Sequence, residues 1–285
     1  MKPNRTYLFV PGTEERKTEK ALASSADALI LDLEDAVAIS EKPRARDMVR
    51  ERLRSVSPER QVFVRVNDME TGMTAEDLRA VCVGGIAGII LPKVEGAETI
   101  RSVSKMIDNL ERAEGLPAGR IVLNAIIETG RGIAHAVSIA EAGGRLNALM
   151  FGAGDYTADI GIPTANVGPH ILHGKIATVI ASRAGGLAPP IDTVFFDVTD
   201  AEGLAADCAE AKALGYFGKA VIHPNQIETT NAAFTPDEAE LAGARRIVDS
   251  FREAEARGLG AVTVDGKLVD YAMVKTAEKT LERAR

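Results

Sequence analysis

Residues 27–37 read DALILDLEDAV. A run of Ala, Leu and Ile with no polar interruption ends in three acids, Asp32, Glu34 and Asp35. The apolar part is too short for a helix of ordinary length and does not alternate with polar residues, as a half-exposed strand would. It reads as a strand buried on both faces, the kind found in parallel sheets covered by helices. A carboxylate at the end of such a strand is costly to bury unless it is paired or meets a cation. This one stretch therefore suggests both a fold class and a place for chemistry.

Similar runs recur outward from it. They lie at 6–10 (TYLFV), 61–67 (QVFVRVN), 88–92 (GIILP), 121–127 (IVLNAII), 146–151 (LNALMF), 192–198 (DTVFFDV) and 218–223 (GKAVIH). With 27–33 this makes eight expected strands. Helical patterns separate them, for example over 42–54, 95–113, 130–143 and 200–214. Thr199-Asp200 starts the last of these and Gly215 ends it. Eight β/α units predict an α/β fold of the (β/α)8 TIM-barrel type, not an open doubly wound sheet. The first strand is not followed by GxGxxG, and GxxxxGK[ST] is absent, which argues against a nucleotide fold.

The barrel is expected over 1–234 and a C-terminal extension over 235–285. In the extension, 236–256 reads as a helix with Pro236 in its first turn. Asp265-Gly266 between AVTV and KLVDY signals a hairpin, and 271–284 reads as a second helix. A barrel does not need this tail, so it is expected to act as a lid or an oligomerisation arm.

Composition narrows the function classes. Apolar residues make up 46% of the 285, enough for a large core, and the formal net charge is −7. No basic block is interleaved with aromatics, so nucleic acid is not an expected partner. The opening MKPNRTYLFVPG lacks the apolar segment and cleavage site of a signal peptide, and no apolar run is long enough to span a bilayer. The two cysteines, Cys82 and Cys208, have no metal-ligand spacing. A cytoplasmic protein with no membrane partner is expected.

In a barrel, reacting groups gather at the C-terminal ends of the strands. Those ends supply, in order, Pro11-Gly12; Asp32, Glu34 and Asp35; Arg65 and Asn67; Pro92-Lys93; Glu128; Asp155; Asp197; and His223. Carboxylates converging at one mouth raise each other's pKa values unless a cation is present. Two oxygen ligands from consecutive strands, with positions left for water and substrate, suit Mg2+; the His/Cys clusters of zinc sites are missing. The expected metal ligands are Glu128 and Asp155, with Asp32, Glu34 or Asp35 holding the metal's waters. A single acid at a strand end ordinarily caps a helix; it is the gathering of several that points to a site. His223 is expected to be structural, and a Schiff-base role for Lys93 is disfavoured by its acidic surroundings.

The segments RTYLFVPG, DALILDLEDAV, VFVRVN, IILPKVE, IETG, FGAGDY, GKAVIHPNQI and DGKLVD resemble the successive motifs of the citrate lyase β-subunit-like family. That family lies within the HpcH/HpaI aldolase group, which includes malyl-CoA and citramalyl-CoA lyases. The resemblance runs nearly the full length. It implies a Mg2+-dependent barrel that makes or breaks a carbon–carbon bond in an acyl-CoA, with a 3-hydroxyacyl-CoA such as citramalyl-, malyl- or citryl-CoA as substrate and a 2-oxo acid as product. It also implies a trimer or hexamer in which the C-terminal arm closes over a neighbour's site.

Position by position, Glu128 and Asp155 match the metal ligands, Arg65 the arginine near the reacting carbonyl, and Glu34 and Asp35 acids near the metal's waters. Asp270 matches the acid/base carboxylate delivered from the adjacent subunit. The family often has a proline soon after that acid, where this chain has Tyr271-Ala272, so the path of the lid is left open. On the same resemblance, Arg16 and Lys20 are candidates for CoA phosphates. Two alternatives remain: an aldolase of free hydroxy-oxo acids without CoA, and a lyase subunit that acts only on an acyl-carrier partner.

Overall fold

Seven of the eight apolar runs become strands. The computed structural model describes residues 4–57, 59–164 and 166–283. Its strands are β1 (Thr6–Pro11), β2 (Ala28–Asp32), β3 (Gln61–Arg65), β4 (Gly88–Leu91), β5 (Val122–Ile127), β6 (Leu146–Phe151) and β7 (Lys219–Val221). They form one curled, all-parallel sheet in the order β6-β5-β4-β3-β2-β1-β7. The unbroken apolar run of β2 now has its reason. Leu29 and Leu31 pack into one apolar layer with Val62, Val64 and Leu91, while Ala28 and Ile30 pack into a second with Tyr7, Phe63 and Ile90. With both faces covered, each buried Leu or Ile contributes on the order of 1.5–3 kcal/mol.

The strand expected over 192–198 does not form. Ile191 and Asp192 instead make two isolated parallel bridges, to Met150 of β6 and to Lys219 of β7. The amide of Ile191 donates to Leu149 O (2.9 Å), that of Phe151 to Ile191 O (3.1 Å), and that of Ala220 to Asp192 O (2.9 Å). This segment thus pairs with both edge strands of the sheet. Regular pairing stops soon after because the chain finds other partners. Asn166 accepts from the Phe196 amide (3.1 Å) and donates to Val194 O (2.7 Å), and Gln226 donates to Phe195 O (2.8 Å). Two prolines, Pro189 and Pro190, precede the segment and supply no amide donors.

A buried ionic cluster pins the same segment from outside the sheet. Lys219 donates to Asp192 Oδ2 (2.6 Å) and to Asp207, and Lys175 donates to Asp207 Oδ1 (2.9 Å). All four side chains are buried. The Lys219 ammonium lies between two carboxylates that hold it protonated despite its burial. Next along the chain, the Thr193 hydroxyl accepts from the Ala153 amide (2.9 Å) and so anchors the start of helix Ala153–Asp159.

The connecting helices follow their sequence signals. Lys42–Ser55 and Ala97–Ala113 lie where expected. Helix Ala201–Leu214 is capped by the Asp200 side chain on the Gly203 amide (2.8 Å) and ends at Gly215 with φ 107°. The stretch expected as one helix over 130–143 is two short ones, Gly130–Ala134 and Ala136–Ala140, broken at His135. Cys82 and Cys208 are free and buried, and burial pushes their thiols up to about 12 and about 11. Among the described residues no helix is long and apolar enough to cross a membrane.

A second compact unit begins at Ala232. Helix Glu238–Glu255 opens with a capping box in which Asp237 accepts from the Glu240 amide (2.7 Å) and Glu240 accepts from the Asp237 amide (3.0 Å). Strands β8 (Ala261–Val264) and β9 (Lys267–Asp270) pair antiparallel. Asp265 and Gly266 both have positive φ, 49° and 74°, as a type I′ turn requires. Helix Tyr271–Arg283 completes the unit around Val248, Phe251, Val269 and Val274.

Candidate active site

Parallel register sets the first contact. Asp32 ends β2 opposite Arg65, which ends β3. Arg65 donates to Asp32 from Nε to Oδ1 (2.7 Å) and from Nη2 to Oδ2 (2.6 Å). Asp32 also accepts from the amides of Glu34 (2.9 Å) and Ala36 (3.1 Å). Four donors meet two carboxylate oxygens, so the buried Asp32 is fully engaged by the protein. These contacts make it a positioning group for Arg65 and for the acidic turn. The Arg65 guanidinium also lies 4.9 Å from the Phe9 ring centroid.

Past the strand, Glu34 is buried between two cations. Arg65 Nη1 lies 2.9 Å from its Oε2, and Lys93 Nζ donates to its Oε1 at 2.8 Å. Burial pushes the Glu34 carboxyl up to about 7, against the pull of Arg65 and Lys93. Asp35 is exposed, 3.5 Å from Arg65 Nη1. The turn is fixed from beneath by the buried Lys42, which donates to Leu33 O (2.8 Å), Glu34 O (3.0 Å) and Asn67 Oδ1 (2.6 Å).

Glu128, just past β5, is buried. Its Oε1 accepts from the backbone amide of Lys93 (2.8 Å), which occupies the left-handed region with φ 50°. A side chain seldom adopts that conformation, so the turn after β4 holds strain where it meets the acid. Burial, with the charges of Asp155 and Glu34, pushes the Glu128 carboxyl up to about 8. Asp155 sits in the first turn of helix Ala153–Asp159, 3.8 Å from Lys93 Nζ. Gly152 leaves the space that Glu128 needs: a Cβ there would lie 2.4 Å from Glu128 Oε2.

A cavity of about 400 Å3 collects Asp32, Asp35, Arg65, Glu128 and Asp155, with Phe9, Met150 and Phe196 on its apolar side. Among the described residues, no group of three or more His, Cys, Asp or Glu converges as a complete ligand set. Glu128 and Asp155, however, share this cavity, and the charge of Asp155 helps to raise the Glu128 carboxyl. Two hard oxygen donors with open space between them fit a hydrated divalent cation such as Mg2+.

Other expected site residues lie elsewhere. Arg16 and Lys20 are exposed, one turn apart on helix Glu15–Leu22, and do not line this cavity. Asp197 is exposed and accepts from the Thr199 amide and hydroxyl, so it is a local cap. His223 accepts from the Asn225 amide (3.2 Å), the structural role expected of it. Asp270 belongs to the second unit, where its Oδ1 accepts from the Ala272 amide (2.9 Å) at the start of the last helix. Lys93, expected among the strand-end groups, has its ammonium within 4 Å of Glu34, Asp68 and Asp155. One contributor was missed by sequence reading: Thr193 lay inside a presumed strand.

The chain is 34% identical to citrate lyase subunit beta of Leuconostoc mesenteroides subsp. cremoris, over 98% of this chain and 93% of that protein. It is 37% identical to a (3S)-malyl-CoA thioesterase of Cereibacter sphaeroides, over 99% and 95%. The crystal structure of CitE from Mycobacterium tuberculosis in complex with magnesium, acetoacetate and coenzyme A superimposes with a TM-score of 0.79 at 32% identity, covering 98% of this chain and 97% of that one. Residues 5–224 match the HpcH/HpaI aldolase/citrate lyase family, and the chain belongs to that family.

Proposed function

We propose that this protein is a Mg2+-dependent carbon–carbon lyase that cleaves a 3-hydroxyacyl-CoA of the citramalyl-, malyl- or citryl-CoA kind into a 2-oxo acid and an acyl-CoA. The observation that carries this reading is one cavity holding Glu128, Asp155 and an Asp32-oriented Arg65, in a chain of this family. Glu128 and Asp155 would hold the ion. Bound there, Mg2+ would polarise the keto oxygen of the oxo acid as a Lewis acid.

The chain's own groups do the rest. In cleavage a carboxylate takes the hydroxyl proton, the C2–C3 bond electrons pass to the thioester as an enolate, and the enolate is then protonated to the acyl-CoA. Arg65 supplies a fixed positive charge to the enolate oxygen, with its pKa raised further by Asp32. Glu34 and Asp35 hold water beside the ion. Asp270 of a neighbouring subunit is the acid/base, in a trimer or hexamer, and Arg16 and Lys20 meet CoA phosphates. In the same reading residues 190–194 are the seventh stave of a closed (β/α)8 barrel, supported by their bonds to both β6 and β7.

Chelation of Mg2+, or Glu128→Ala, is expected to abolish cleavage of every acyl-CoA in a panel of malyl-, citramalyl- and citryl-CoA. Full activity in excess chelator refutes the metal assignment. Failure of any CoA ester to bind favours an aldolase of free hydroxy-oxo acids. Activity of the purified chain on free CoA esters excludes dependence on an acyl carrier.

A further inference from the structure

The two candidate metal ligands are not equally supported. Glu128 is buried, and its Oε1 is held by the Lys93 amide (2.8 Å). Asp155 is half-buried and is the third residue of a short helix, Ala153–Asp159. A helix of this length has little stability of its own. Its N-cap position is Gly152, which has no side chain to offer. Ser, Thr, Asp or Asn ordinarily stands there and accepts one of the first amides. Each of these begins with a Cβ, and a Cβ at 152 would lie 2.4 Å from Glu128 Oε2. The room taken by one acid thus denies the usual cap to the helix that carries the other.

Thr193 supplies the acceptor from a different segment. Its side chain is buried, lines the cavity and accepts from the Ala153 amide (2.9 Å), 40 positions away in the chain. The segment on which it stands is firmly held. Asp192, the preceding residue, is buried and accepts from Lys219 Nζ (2.6 Å). The Asp192 amide donates to Gly218 O (2.9 Å), and its carbonyl accepts from the Ala220 amide (2.9 Å). Direct bonds therefore run from Lys219 through Asp192 and Thr193 to the first turn of the helix. We propose that Thr193 is a positioning residue for the ion: by capping Ala153 it holds Asp155 where that carboxylate and Glu128 can share one divalent cation. This rests on the metal-dependent reading above.

Thr193→Val keeps the shape of the side chain and removes the hydroxyl. Mn2+ affinity of the full chain without substrate, read by electron paramagnetic resonance, should fall about 10- to 100-fold, the scale for losing a group that orients a metal ligand. Thr193→Ser keeps the hydroxyl and should bind Mn2+ within about threefold of the parent. Tm in EDTA reads the structural share separately. A threonine that only packs the segment would lower Tm in Thr193→Val and leave Mn2+ affinity at the parental level. That result, or Thr193→Ser binding as weakly as Thr193→Val, overturns the inference and leaves the metal reading intact. Should Thr193→Val not fold, Thr193→Cys takes its place and is read by the same rule, since sulfur is a weak acceptor. A parent protein that binds no Mn2+ overturns the metal reading and this inference with it.

Discussion

Gly152→Ala is the sharpest test of the candidate metal site. Gly152 has φ −114° and ψ 94°, a conformation open to alanine, so the substitution carries no backbone penalty. Its effect must come through space. The added methyl would lie 2.4 Å from Glu128 Oε2, 2.7 Å from Glu128 Cβ and 2.9 Å from Ile126 Cγ2, where ordinary contact begins at 3.4 Å. The Glu128 carboxylate must therefore retreat by about 1 Å, and a misplacement of about 1 Å costs roughly 100-fold in rate, or about 2.7 kcal/mol. Overpacking should cost the fold about 1–3 kcal/mol. Mn2+ affinity, followed by electron paramagnetic resonance, should fall on the same scale as kcat/KM for acyl-CoA cleavage, while the protein remains folded in denaturant titration. A Gly152→Ala protein that binds Mn2+ and cleaves substrate like the parent would show that Glu128 does not hold the ion.

Three further predictions follow from the geometry. Asp32→Asn removes one of the two buried carboxylates that pair with Arg65, leaving Glu34 as the other; stability should drop by about 1.5–3 kcal/mol in urea, and kcat should fall more than KM rises. Retention of parental kcat would deny Asp32 its positioning role. Burial raises the carboxyls of Glu128 to about 8 and Glu34 to about 7 from an ordinary 4.5. The folded state therefore holds protons that the unfolded chain releases, and this contribution is complete below the ordinary value and lost as pH rises through about 7 to 8. In EDTA, Tm should fall between about pH 5 and about pH 8 and level off above, and Glu128→Gln should flatten that fall; a Tm that climbs over this window contradicts the burial argument. Asp192→Ala leaves the buried Lys219 short of one carboxylate and should cost about 3–5 kcal/mol in denaturant titration; a cost within experimental error would show that the cluster does not hold the 190–194 segment.

Much of the scaffold was legible because local chemistry and tertiary context agree. Asp200 and Gly215 mark the ends of one helix by side-chain reach and by φ, and Asp265-Gly266 fixes a hairpin through the φ its turn demands. Runs such as ALILD report burial on both faces, whatever covers them. The DTVFFDV run misled because its β-rich composition says nothing about Asn166 or Gln226, which take the backbone groups a neighbouring strand would have used. The acids at the strand ends were also visible in sequence, yet their separate duties were not.

By itself, the sequence determined the β/α alternation, the places where carboxylates end apolar runs, and the family motifs, since each is written in residue order and side-chain type. Only the tertiary structure decided which acid is consumed by Arg65, that a left-handed Lys93 aims its amide at Glu128, and that Gly152 makes room for that carboxylate. Those facts depend on distances between residues 24 to 35 positions apart: Gly152 with Glu128, Asp32 with Arg65, and Lys93 with Glu128. Strand register and strand-end turns set such distances, and no local pattern encodes them.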